Sequence, residues 1–449
     1  MVSTNEIRDH LKTLLVEAWE RPWPKGIPRG IPEGLADRLR LLTIVGPRRA
    51  GKTYLGYQLM HHLLQRGVPK RSILVINWED ERLSPLSGRE LTELLPAYEE
   101  LQEWGGRSPL YLFLDEVQNV PHWSKWVRRV MEQYASLRLV LTGSSSKLLS
   151  TELATELRGR GLSFTLFPYS FAEWLSADGP VPPITGELHH SRQALKLLRN
   201  FDTYLAQGGF PEVRHEENPR PILQGYYRAM FVRDLVERYR VQNPTLLEDF
   251  LKIQLSRFAA LSSLSNIHKE LIEIHGRISK TTLSHYARAA RDILLLFEAS
   301  RYAHKVRHHL LFPKKVYAVD HGLLEAIRFS ATEDKGRLLE NAVFVELKRR
   351  GYDPFYFKED QECDFILRDG TKIIAALQVT WALASVKTRS REIQGLLAAL
   401  ERLHLSEGWI ITRNEYEDFR QGAFRVHIRP FWHFALDQKT IPLSTGALL

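Results

Sequence analysis

The sequence predicts an α/β protein, a parallel sheet wound around a phosphate-binding loop and followed by a helical module and a second α/β domain. Three observations lead there. The apolar run Leu41-Leu42-Thr43-Ile44-Val45 stands directly before a glycine-bounded basic loop, and residues 54–60 follow with helical spacing. A second apolar run, Leu110-Tyr111-Leu112-Phe113-Leu114, ends in two carboxylates, Asp115 and Glu116. Toward the C-terminus a helical pattern gives way to strand-like runs that carry Asp364, Gln378 and Thr380.

Residues 1–35 hold a helix through Trp19 and then Pro22-Trp23-Pro24-Lys25-Gly26-Ile27-Pro28. Proline lacks the N–H that a helix needs, so this stretch is expected to wrap over the core instead of extending the helix. The core itself, residues 36–175, starts with the first strand and the loop Gly46-Pro47-Arg48-Arg49-Ala50-Gly51-Lys52-Thr53, which fits G-x-x-x-x-G-K-[ST]. Between a strand and a helix, the N–H groups of such a loop, continuing through Tyr54, converge on one spot and favour a polyphosphate. Lys52 is expected to neutralise the β and γ phosphates of ATP, and the Thr53 hydroxyl to ligate Mg2+.

Asp115 is expected to hold the metal through its water shell, and Glu116 to polarise the attacking water. The run Ser72-Ile73-Leu74-Val75-Ile76-Asn77 predicts an extra strand between the two nucleotide strands. After the run 137–142 come Gly143-Ser144-Ser145-Ser146; Ser144 either senses the γ phosphate or positions the water, or Ser144 or Ser145 caps a helix. Arg158 and Arg160 precede the fifth strand, 162–167, where either would reach a neighbouring subunit's γ phosphate or stay a surface charge.

Residues 176–245 read as a linker and a helical lid against the nucleotide face, interrupted by Gly208-Gly209-Phe210-Pro211-Glu212. In that lid Arg233 and Arg238 face nucleotide or solvent. Residues 246–318 read as a winged helix, with Ser279 as the N-cap of a second helix that presents Lys280, Thr281, Thr282, His285 and Arg288. Its wing would carry Arg301, Lys305, Arg307, His308 and His309 toward phosphates, DNA contact standing against protein docking.

Residues 319–449 follow a restriction-endonuclease-like outline. Such enzymes hold a metal with Asp and Glu and activate water with Lys, yet the expected Glu-x-Lys is Gln378-Val379-Thr380. Metal-dependent cleavage is therefore not expected, although Glu340 or Glu346 with Glu362 and Asp364 keeps a weak metal site open.

At 449 residues the chain is too long for one core, and a hydrophobic fraction of 44% is that of an ordinary globular protein. A single cysteine, Cys363, excludes an internal disulfide and suits a reducing cytoplasm. The absence of a long apolar stretch argues against a membrane span. A net charge of +9 favours polyanionic partners, though only weakly by itself.

With the phosphate loop, Leu114-Asp115-Glu116, Leu157-Arg158-Gly159-Arg160, Gly208-Gly209-Phe210-Pro211-Glu212 and Glu362-Cys363-Asp364-Phe365 in this order, the chain resembles a family of archaeal and bacterial AAA-type ATPases. These join a P-loop core and a winged helix to a C-terminal nuclease-like domain of unknown function. The resemblance implies ATP hydrolysis, ring-like assembly and a role in DNA transactions. The expected activity is thus Mg-dependent ATP hydrolysis coupled to binding or remodelling of duplex or branched DNA. A nucleotide-controlled switch that docks a protein partner, and a metal-dependent nuclease, are the alternatives.

Overall fold

A computed structural model describes residues 3–31, 40–144, 161–184, 191–303, 312–327, 334–437, 440–441 and 444. The chain divides into two compact units, Met1–Leu166 and Phe167–Leu449.

The first unit is a five-stranded parallel sheet between helices. Helix α1 (Thr4–Glu20) begins with a capping box, in which Ser3 accepts from the Glu6 amide and Glu6 accepts from that of Ser3. It buries Ile7, Leu11, Leu15 and Ala18. The proline-rich stretch then crosses the core as expected: Trp23 is buried among Leu55, Leu59 and Leu63.

Strand β1 (Leu41–Val45) leads through the loop into α2 (Lys52–Gln65). Next come β2 (Ile73–Asn77), α3 (Arg89–Leu101), β3 (Leu110–Asp115), α4 (Trp123–Gln133), β4 (Leu137–Gly143) and β5 (Leu162–Thr165). Burial of β1 and β3 along their whole length reflects helices on both faces, as apolar runs without alternation require.

The sheet order is β2-β3-β4-β1-β5. One expectation needs correction here. A strand does stand between the two nucleotide strands, but it is β4, whereas the run 73–77 forms the edge. Burial gives the physical reason: β4 has six of its seven residues buried, while β2 is shorter, leaves Val75 half-buried and ends on exposed Asn77, a profile that suits an edge.

In the second unit, α5 (Phe171–Ser176), α6 (Arg192–Gln207) and α7 (Arg220–Ala229) build a helical layer, and α7 runs on into a π-helical turn, Met230–Glu237. There Arg238 pairs with buried Asp234 at 3.1 Å. The Gly208-Gly209 pair is a packing junction. A Cβ on Gly208 would stand 2.2 Å from Asp320 Oδ1, and one on Gly209 would stand 2.3 Å from the Tyr169 carbonyl. The Gly209 N–H donates to Asp320 Oδ2 at 2.7 Å. Only glycine fits so close an approach, and at Gly208 the φ of +80° asks for it as well.

Helices α8 (Pro244–Ser256), α9 (Leu264–His275) and α10 (Lys280–Asp292) follow, with a three-stranded antiparallel sheet of β6 (Leu261–Ser262), β8 (Lys314–Ala318) and β7 (Leu296–Ala299). Ser279 does cap α10, its hydroxyl accepting from the Thr281 amide at 3.1 Å. Short α11 (His321–Ile327) leads to α12 (Lys335–Arg349), which is buried without a break from Leu338 to Leu347 and is closed by Gly351 at φ +84°.

A six-stranded mixed sheet completes the unit. Its elements are β9 (Phe355–Lys358), β10 (Glu362–Asp369), β11 (Lys372–Val379), α13 (Val386–Leu403), β12 (Glu407–Thr412), β13 (Glu417–Gln421), β14 (Phe424–Pro430) and α14 (Phe431–Leu436). β9, β10 and β11 pair antiparallel, and β11, β12 and β14 parallel. Helix α13 lies so close to the sheet that a Cβ on Gly395 would stand 2.3 Å from the Glu362 carbonyl.

Candidate nucleotide site

The loop between β1 and α2 is held open by its glycines. Gly46 approaches the Leu166 carbonyl so closely that a Cβ would stand 2.3 Å from that oxygen. Gly51 is left-handed at φ +95°, as is Arg49 at +69°. From below, the buried Arg29 guanidinium donates to the Ala50 carbonyl at 3.0 Å. Helix α2 starts at Lys52 with no side-chain cap on its N-terminus, so its first amides point at the loop mouth, the arrangement that receives a phosphate.

Five side chains converge there. Thr53 Oγ1 donates to Asp115 Oδ2 at 2.7 Å. Asp115, at the C-terminal tip of β3, also accepts from the Thr142 hydroxyl, and that same hydroxyl accepts the Glu116 amide at 3.1 Å. The Lys52 side chain is buried, and its Nζ donates to the carbonyls of Gly46 and Pro47 at 3.2 and 3.3 Å. It also pairs with Glu116 at 3.3 Å.

Glu116 adopts a left-handed backbone at φ +51°, a conformation that costs a non-glycine residue on the order of 1 kcal/mol. The reward is direction: its carboxylate turns toward Lys52 while that of the preceding Asp115 turns toward Thr53. Burial pushes the Asp115 carboxyl above its ordinary range, a shift the Thr142 hydroxyl opposes and the neighbouring Glu116 reinforces. Burial would raise Glu116 too, but the Lys52 ammonium and the Gln118 amide hold it below the usual carboxylate range.

These residues fit Mg-ATP. A buried ammonium, an uncapped helix start and a hydroxyl–carboxylate pair supply the groups that a triphosphate and a divalent ion need. A cavity of about 230 Å3 opens beside Thr53 and Asp115 toward Tyr57, Met60 and Phe113.

Of the residues expected at the site, Lys52, Thr53, Asp115 and Glu116 come together. Arg48 turns to Glu79 at 3.3 Å, and Tyr54 is half exposed. Ser144 is buried just after β4. Arg158, Arg160, Ser145 and Ser146 lie outside the described residues, as do Lys305, Arg307, His308 and His309. Sequence reasoning passed over Thr142 and Arg29. The first had a signal, a hydroxyl at the tip of an otherwise apolar strand; the second, buried from a proline-rich segment, had none.

In the C-terminal sheet, Gln378 serves as a brace. Its Oε1 accepts the Asp364 amide at 3.2 Å and its Nε2 donates to Glu392 Oε2 at 2.5 Å. Glu346 is taken up by Arg350 at 3.0 Å.

Residues 38–175 match the model of an AAA domain, and residues 198–334 that of a domain of unknown function. An uncharacterised protein of Methanocaldococcus jannaschii is 32% identical over 412 residues, spanning 88% of both chains. Another from Haemophilus influenzae is 30% identical over 394 residues, 85% of this chain and 91% of its own. Among solved structures, a Walker-type ATPase of Pyrococcus abyssi aligns over 72% of this chain and 95% of its own, at 13% identity and a TM-score of 0.42. With the two sequence relatives, and with its phosphate loop and Asp115-Glu116 pair in the AAA domain, the chain belongs to a family of AAA-type P-loop ATPases.

Proposed function

We propose that the chain hydrolyses ATP in the Gly46–Thr53 loop and that nucleotide state governs how its second unit engages duplex or branched DNA. The convergence of Lys52, Thr53, Asp115 and Glu116 at the end of the sheet carries the first half. Lys52 would leave Glu116 and the loop carbonyls for the β and γ phosphates, and Thr53 and Asp115 would hold Mg2+, which neutralises phosphoryl charge when bound. Once released, Glu116 would accept a proton from the attacking water. Ser144 would report on the γ phosphate. Arg158 or Arg160 would complete the site of the next subunit in a ring-like oligomer, since a guanidinium is always charged and planar.

For the second half, residues 246–318 read as a winged helix. Lys280, Thr281, His285 and Arg288 are exposed along α10 and Thr282 is half-buried, as a recognition helix would place them. The residues 319–449 read as a restriction-endonuclease-like domain that has kept its fold without the cleavage chemistry. A cytoplasmic setting suits the single buried cysteine, and among the described residues no helix is long and apolar enough to cross a membrane.

The test is ATP turnover by the purified chain with and without DNA at low salt. Lys52→Ala should abolish turnover, and branched or duplex DNA should raise the parent's rate. A rate indifferent to DNA would remove the DNA half and favour a switch that docks a protein.

A further inference from the structure

The lysine that residues 378–380 lack is present in the C-terminal domain's carboxylate cluster, but it comes from outside that domain. Lys315 lies on β8, in the three-stranded sheet, and its side chain is 4% exposed. It sits 2.8 Å from Asp364 Oδ1, 3.0 Å from Glu362 Oε1 and 3.1 Å from Glu340 Oε1. An ammonium has three N–H donors and no acceptor, so these three carboxylates satisfy it completely.

The carboxylates are fixed in turn. Asp364 Oδ2 accepts the Val379 amide at 2.9 Å, and Glu340 Oε1 accepts from the Tyr317 hydroxyl at 2.7 Å. Asn341 clamps the same strand, exchanging hydrogen bonds of 2.8 and 3.1 Å with the Ala318 main chain. Lys358 pairs with Glu362 from the rim at 3.0 Å. Burial and the neighbouring Asp364 push the Glu340 carboxyl up to about 8.

We propose that Lys315 is an internal cation that fills this cluster, keeping divalent metal out of it and fastening the β6–β8 sheet to the C-terminal domain. A metal ion would need the point at which the three carboxylates converge, and the ammonium stands there. Lys315 is a poor candidate for activating water. Although burial alone would lower it, the surrounding carboxylates raise its pKa well above the ordinary value, so it holds its proton. The proposal is independent of the ATP reading and is tested without nucleotide.

The experiment uses the full chain with Asp115→Asn as background, so that the first unit adds no carboxylate at its metal position. Mn2+ is titrated and the free ion followed by electron paramagnetic resonance. Lys315→Met is expected to bind Mn2+ at least about tenfold more tightly than the background protein, and adding Asp364→Asn should abolish the gain. Equal binding by both, or none by a folded Lys315→Met, overturns the proposal.

If Lys315→Met does not fold, the melting temperature of the background protein in millimolar Mn2+ decides. No shift supports an occupied cluster, and a rise that Asp364→Asn removes overturns it, because only a ligand of the native state stabilises. DNA cleavage that requires both Lys315 and Asp364 would overturn it as well, making the lysine a catalytic residue.

Discussion

Replacing Glu116 by Gln separates binding from turnover, and the magnitudes follow from the pair it makes with Lys52. Unit charges 3.3 Å apart attract by about 5 kcal/mol at an effective dielectric of roughly 20. Desolvating two buried groups cancels most of that, leaving on the order of 1 to 2 kcal/mol that a triphosphate must displace to recruit Lys52. Glu116→Gln removes that competitor, together with a negative charge beside the phosphates. ATP should therefore bind about tenfold more tightly. Without the carboxylate, proton removal from the attacking water should slow by about 10²–10⁴. Calorimetry of Mg-ATP binding and single-turnover hydrolysis read the two quantities separately. Turnover within a few-fold of the parent would mean that another group activates the water. Weakened binding would mean that Glu116 does not compete with phosphate for Lys52.

Thr142→Val removes the hydroxyl that braces Asp115 and receives the Glu116 amide; Mg-ATP turnover should fall about tenfold or more in steady-state assays, with less effect on folding. Gly322→Ala would drive a Cβ to 2.2 Å from the Gln207 carbonyl and should cost at least about 2 kcal/mol in urea unfolding of the second unit. Gly225→Ala, in α7 with nothing within 4 Å of the added carbon, should instead stabilise by roughly 0.5–1 kcal/mol. His321 is buried, bonded through Nε2 to the Tyr204 carbonyl at 2.9 Å, and burial holds it below its ordinary value of 6.5. The unfolded chain takes up the proton first, so its contribution is intact above about pH 6.5 and shrinks as pH falls toward the folded value. Urea midpoints should drop over that interval, and His321→Gln should flatten the drop. Lys280→Glu with Arg288→Glu should lower DNA affinity and make its logarithmic salt slope shallower by about 2.

What was legible in the sequence was what lies close together along the chain. Residues 46–53 and the strand before Asp115 state their chemistry within a few positions, because a loop and the helix that follows it build a phosphate cradle locally. Ser279 as a helix cap was equally local. Strand order was not, since the alternatives for residues 73–77 differ in tertiary packing and leave no periodic mark. The Thr142 hydroxyl, 27 positions from Asp115, is chosen by β3–β4 pairing, not by any spacing. Gly208-Gly209 stood out as a segment, yet its reason lies more than a hundred positions away at Asp320.

Lys315 was the hardest to foresee. Reading residues 319–449 alone reports a missing lysine, because the cation that serves Glu340, Glu362 and Asp364 arrives on β8 of the preceding module. Among the described residues two lysines are buried, and they differ in one physical respect. Among the described residues Lys52 pairs with one carboxylate and two loop carbonyls, which under the proposed reading a triphosphate would displace. Lys315 has all three donors on carboxylates and 4% of its side chain exposed, so an incoming ion would have to expel a charge that has nowhere solvated to go. The two ion pairs therefore differ in how many charged partners hold the ammonium.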